Sequence, residues 1–216
     1  MCVVAVPPEV DLMHAVQVPM PDSHVSQGVD YTAGIDRYPS FFFTNESNVQ
    51  LPAEKLLGLP QQLWADFSLL AVFRPLRPEG GFLFAVVSSS GTLVQFGLRI
   101  ADDGPGSSKV QLYYTDHRGL PPVSAVIAEF TVRPPLTGSW NQLAMKVKGD
   151  HVTLLPECNP QESVTVTDRI RGLPFQHGSI FYVAQAGPEF ADAKFEVDVF
   201  TTRVAPSGFT RYYMPI

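Results

Sequence analysis

Two carboxylates, Glu196 and Asp198, stand two residues apart near the end of this 216-residue chain. On an extended strand that spacing aims both side chains at one face. Two carboxylates flanking a glycosidic bond, one of them acting as the acid, are what sugar hydrolysis needs. A third acid one alternation further on would complete such a cleft, but Phe200 stands there, or Thr201 if the strand bulges. The pair is therefore expected to face solvent, opposite a buried face of Phe195, Val197 and Val199. There is no Gly-x-Ser-x-Gly elbow, and neither cysteine, Cys2 or Cys158, sits in a nucleophile context. No catalytic residue is assigned.

Binding chemistry is sparse as well. His14, His24, His117, His151 and His177 are scattered singly, not at the short spacings of zinc ligands. Asp102-Asp103-Gly-Pro-Gly106 could offer oxygens to calcium, which takes ~6–8 of them. It reads equally as a hairpin loop that needs no metal, so neither a metal nor a cofactor is assigned. Lys146 and Lys148 share a strand face, and Arg133 or His151 would join them if neighbouring strands pair. Such a cluster could hold a sulfated glycan, and it is also the ordinary polar face of a half-buried strand. Asn45-Glu-Ser47 is an N-glycosylation sequon, meaningful in a secreted protein.

Composition limits the partners. The net charge of −6 argues against general nucleic-acid binding, which displaces counterions with a cationic surface. Charged residues are 17% and apolar ones 45%, which excludes charge-driven disorder. No apolar run approaches the ~18 residues of a membrane-spanning helix, and no Gly-X-Y period marks a triple helix within the chain. Met1 to Val6 runs straight into Pro7-Pro8-Glu9. It lacks the charged start and ~7–15 apolar residues of a signal peptide. The expectation is a cytosolic protein, or one whose native N-terminus lies upstream.

The elements that must position these residues are strands. The first forty-odd residues read as Pro-rich and irregular, with one short amphipathic helix between Glu9 and Val18. A helical turn is expected at Pro52–Leu57, where Pro opens a helix without losing a useful donor and Gly58 can stop it. From Asp66 the period changes to two. Expected strands follow at Phe67–Arg74, Phe82–Val87, Thr92–Ile100, Lys109–Thr115, Ser124–Val132, Trp140–Lys148, His151–Leu155, Ser163–Thr167, Ile180–Ala184 and Phe195–Val204. About ten short strands at roughly 8–12-residue spacing, divided by Gly- and Pro-rich turns, predict an all-β sandwich or barrel. Trp140, Leu143, Met145 and Val147 are expected to face its core, as are Phe82, Phe84 and Val86.

Seven segments carry a resemblance. They are Asp66-Phe-Ser-Leu-Leu70, Gly81-Phe-Leu-Phe-Ala85, Phe96-Gly-Leu-Arg99, Val110-Gln-Leu-Tyr-Tyr-Thr115, Trp140-Asn-Gln-Leu-Ala-Met145, Val152-Thr-Leu-Leu155 followed by Cys158, and Ile180–Gly187. With the entry Val10-Asp-Leu-Met-His14, the chain resembles the thrombospondin N-terminal-like module and, within that family, the one in multiplexin collagens (types XV and XVIII). The resemblance implies a laminin G-like jelly-roll β-sandwich with one or two short helices over residues 9–204, between an irregular segment 1–8 and an unstructured tail 205–216. It further implies a secreted, non-catalytic matrix module that binds matrix proteins or glycosaminoglycans, at the basement-membrane zone. A trimer would follow if a collagenous segment is attached.

Three features depart from the family. Its cysteine at the position of Cys158 pairs with one past the last strand, and no cysteine follows Val204 here. Its Phe-x-Gly near the final strand is Phe195-Glu-Val197, and Pro156 interrupts the strand before Cys158. A lectin-like carbohydrate-binding domain is the alternative reading, and a glycoside hydrolase using Glu196 and Asp198 is the third.

Overall fold

The computed structural model describes residues 9–16, 26–35, 38–56, 62–116, 123–157, 162–167 and 169–206. Cys2, Cys158, His24 and His117 lie outside the described residues, so the disulfide expectation at Cys158 does too.

The described residues form thirteen strands: β1 Val10–Asp11, β2 Ser26–Ala33, β3 Pro39–Pro52, β4 Phe67–Pro75, β5 Gly80–Val87, β6 Val94–Asp102, β7 Ser108–Tyr114, β8 Val126–Val132, β9 Asn141–Lys148, β10 His151–Pro156, β11 Glu162–Thr165, β12 Ile180–Val183 and β13 Val197–Pro206. Every ladder is antiparallel, in the order β11-β10-β9-β4-β13-β3-β12-β5-β6-β7-β8, with β2 beside β3 and β1 beside β13. The path folds over on itself at β3. Phe41–Phe43 pair with β13, whereas Val49–Pro52 pair with β12. One long strand thus links two layers, and the chain is an all-β sandwich.

The core lies between the layers. From one side come Phe67, Leu69, Phe73, Leu143, Met145, Val147 and Val199, and from the other Phe84, Phe96, Leu98, Val110, Leu112, Phe130 and Phe181. Their period-two spacing puts alternate side chains on the buried face. Burying a large apolar side chain contributes about 1.5–3 kcal/mol.

Several expectations need correction. The leading helix is one turn, α1 Leu12–Ala15, held by Asp11, whose carboxylate accepts from the Met13 and His14 amides at 3.0 and 3.1 Å. The helical turn after Pro52 is a 3-10 turn, Ala53–Lys55. The stretch read as irregular holds β2 and most of β3. Their period is hidden by the run Phe41-Phe-Phe43 and by a register jump at Gly28, around which residues 44–47 bulge out. Gly28 has φ +66°, a conformation that L side chains rarely adopt.

Phe82 does not join Phe84 in the core. A bulge at Leu83 shifts the register between Phe82 and Phe84. It reverses the alternation and sends Phe82 to a second cluster with Ala85, Val87, Val94 and Tyr182 on the outer side of the sheet. Trp140 lies just before β9, half-buried beneath Arg74 and outside the core. Pro156 is tolerated because it ends β10, beyond the last residue paired with β11. The final strand runs on to Pro206, so Ala205 and Pro206 belong to it and not to a tail.

Candidate functional site

The Glu196–Asp198 pair is not the solvent-facing stretch expected. Asp198 is only 1% exposed. Arg74, directly across the β4–β13 ladder, donates to its Oδ2 from Nε at 2.8 Å and Nη2 at 2.5 Å, and Thr32 Oγ1 donates to Oδ1 at 2.9 Å. Glu196 is held by Arg77 Nε. Neither carboxylate is left free beside an open cleft, and the acids do not face each other across one. Arg74 in turn lies over the Trp140 ring, 5.2 Å from its centroid, within cation–π range.

These contacts belong to a transverse row. Asp30 pairs with Phe42, Phe42 with Asp198, and Asp198 with Arg74. Extending the β4–β9 register by one residue places Trp140 next. Val197, Val199, Leu143 and Phe73 point into the core, so by alternation the row lies on the outer face. Tyr38 and Phe200 meet edge-on at its margin, with centroids 6.5 Å apart. Nothing in the sequence signals this row, because its members come from strands far apart in the chain.

Lys146 and Lys148 do share the outer face further along the same sheet. Lys148 stands opposite His151, and Lys146 lies between Thr153 and Ser68. Among the described residues neither lysine has a carboxylate partner. His151 therefore joins them. Arg133 does not, since it acts on Asp103 across the other sheet. His14 is exposed on α1, and His177 Nδ1 lies 2.6 Å from Glu54.

The Asp102–Gly106 loop spends its second carboxylate internally. Asp103 accepts from Thr131 Oγ1 at 2.7 Å and pairs with Lys109 at 3.1 Å, while Glu129 accepts from Gln111 and pairs with Lys109 at 3.0 Å. Both carboxyls are held below the usual carboxylate range. The hydrogen bond from Thr131 is the larger cause at Asp103, that from Gln111 at Glu129, and Lys109 adds to each. A depressed carboxyl adds stability above its unfolded pKa and loses it as pH falls through the folded value. Because these groups are exposed, the effect on stability is small and confined to acid pH. Lys109→Met should raise both carboxyl pKa values in an NMR titration, with Asp103 still held down by Thr131. Unchanged titration of both would show that Lys109 does not set them.

Asn45 sits exposed at the crest of the residue 44–47 bulge. The Ser47 hydroxyl braces the bulge by donating to Gly28 O at 2.5 Å and accepting from the Thr44 amide at 2.8 Å.

No family model matches the chain. A curated human protein, collagen alpha-1(XVIII) chain, is 30% identical over 179 residues, 83% of this chain. The chain is similar in sequence to one part of that collagen chain. It spans only 10% of that relative's length, so the likeness concerns one region of it. Among solved structures, domain 4 of AbnA, a GH43 extracellular arabinanase from Geobacillus stearothermophilus in complex with arabinotriose, superposes with a TM-score of 0.52 at 15% identity. The match covers 83% of this chain and 76% of that one. A heptameric SAP-like pentraxin from Limulus polyphemus gives a TM-score of 0.48 at 11% identity, covering 79% and 71%. At such identities the arabinanase domain attests the jelly-roll fold alone. No helix among the described residues is long and apolar enough to cross a membrane.

Proposed function

We propose that this chain is a non-catalytic adhesion module of an extracellular-matrix protein of collagen type, spanning residues 9–206 as one domain and secreted with its parent. The observation that carries the reading is the 30% identity to collagen XVIII over most of the chain. The ion-paired state of Glu196 and Asp198 supports a role without hydrolysis. A collagenous segment in the parent would make it a trimer.

An antibody to the domain, used on tissue extract with and without bacterial collagenase, tests this directly. A large band that collapses to a fragment bearing the domain is expected. A collagenase-resistant band near the mass of the chain alone would refute the collagen parent.

The partners fit matrix proteins or glycosaminoglycans. Lys146, Lys148 and His151 offer the glycosaminoglycan contact, flanked by the hydroxyls of Ser68, Thr153 and Ser163. With so few cations, retention on heparin should be weak and should vanish at moderate salt, where exposed charges are screened within ~8–10 Å. Lys146→Ala/Lys148→Ala should abolish it even at low salt, and equal retention of that variant would move the contact elsewhere. The crest position of Asn45 suits an N-linked glycan. Secreted material should lose mass with a peptide N-glycosidase, and the Asn45→Gln variant should not respond.

A further inference from the structure

The outer face of β2, β3, β13 and β4 has a composition that sandwich stability does not require. The Asp30, Phe42, Asp198, Arg74 and Trp140 row crosses four strands and ends at the residue before β9, about 19 Å at the ~4.8 Å strand spacing. Tyr38 beside it is 59% exposed, and Phe42, Phe200 and Trp140 are each only half-buried. The outer face of a half-solvated antiparallel sheet is ordinarily polar. Here four aromatic rings bracket a single charge pair.

That pair is pre-set. Thr32 and Arg74 occupy both oxygens of Asp198, so the guanidinium is fixed in direction, with its carbon over the indole. Arg74 Nη1 has no partner among the described residues, and the exposed Asp30 carboxylate at the other end of the row can accept from hydroxyls. Rings in this setting offer apolar faces to C–H groups, while Arg74 and Asp30 offer one donor end and one acceptor end three strand spacings apart, about 14 Å. The charges along the row are two acids and one base, which disfavours an anionic ligand and distinguishes this face from the lysine strip.

From this geometry we infer that the Tyr38–Phe42–Arg74–Trp140 face binds an uncharged oligosaccharide. Its pyranose rings stack on the aromatic side chains, and its hydroxyls bond to Arg74 and Asp30. This site is separate from Lys146 and Lys148 and does not depend on the parent being a collagen.

The test uses the full chain with Trp64→Phe, so that Trp140 is the sole tryptophan. Cellotriose, xylotriose, maltotriose and lactose are each titrated. Trp140 fluorescence and saturation-transfer NMR are followed at low and moderate salt. At least one of the four sugars should perturb Trp140 and receive saturation, with no loss at moderate salt. Tyr38→Ala, whose exposed ring carries little folding energy, should weaken binding about tenfold, in line with one lost stacked ring. Arg74→Lys should weaken it further while keeping the charge that pairs with Asp198. Silence from all four sugars overturns the inference, as does binding that survives both Tyr38→Ala and Arg74→Lys. A salt-sensitive response to heparin at Trp140, or a dimer in sedimentation broken by Tyr38→Ala, would also overturn it in favour of another occupant. A collagenase-resistant parent would refute the matrix reading and leave this one standing.

Discussion

Arg74→Ala is expected to destabilise the sandwich by about 3 kcal/mol, near the lower end of the ~3–5 kcal/mol seen when one member of a buried ion pair is removed. For a chain of this size the melting temperature should fall by about 6–12 °C. The asymmetry of the pair sets the figure. Asp198 is 1% exposed and Arg74 31%, so the charge left behind is the fully buried one. Thr32 Oγ1 still donates to one carboxylate oxygen, which keeps the loss from the top of the range. The loss should come from the orphaned carboxylate more than from missing packing. A second substitution separates the two: Arg74→Ala/Asp198→Asn removes the stranded charge and should recover more than half of the lost stability. If the double variant is no more stable than Arg74→Ala, the pair matters through the Arg74–Trp140 contact and the electrostatic account fails.

That pair also shows where sequence reading stops. The strands from Phe67 onward were legible because their apolar residues alternate, and the sandwich follows from ten such runs without long helices. Leu143, Met145 and Val147 could be placed on the inner face for the same reason, and they line the core. Alternation fails wherever the register shifts. The bulge at Leu83 turns Phe82 outward, and the one between Val199 and Thr201 resets the end of β13. The 44–47 bulge conceals β3. Alternation did put Asp198 on the outer face, but its exposure depended on Thr32 and Arg74, which lie 166 and 124 residues away in sequence. An outer face can be buried by its own neighbours, and only the pairing of distant strands reveals it. The lysine strip was legible as a pair because both members sit on one strand. His151 joins it because the two-residue turn Gly149-Asp150 fixes it opposite Lys148.

Phe67→Ala should carry the largest loss, about 4 kcal/mol, within the ~3–5 kcal/mol for deleting a buried phenylalanine. Phe67 is wholly buried on β4, yet its ring partners belong to the other layer. It meets Phe96 of β6 edge-on, with centroids 5.6 Å apart, and stacks on Tyr114 of β7 at 6.3 Å and 7°. Such aromatic pairs add ~0.5–1.5 kcal/mol beyond the area they bury. Tyr114 cannot turn to fill the gap. Its hydroxyl donates to Ile170 O at 2.9 Å, and Arg169 lies over its ring, 5.4 Å from the centroid. Burial raises the phenol's pKa, with Arg169 opposing. A ring tied at both its edge and its second face leaves the space of Phe67 open, so the cavity persists. Phe67→Leu keeps most of the volume and should cost less than half as much. Urea unfolding of the three proteins is the check. A Phe67→Ala loss under about 2 kcal/mol would mean that the layers close over the gap, and the stack would then not be what holds them together.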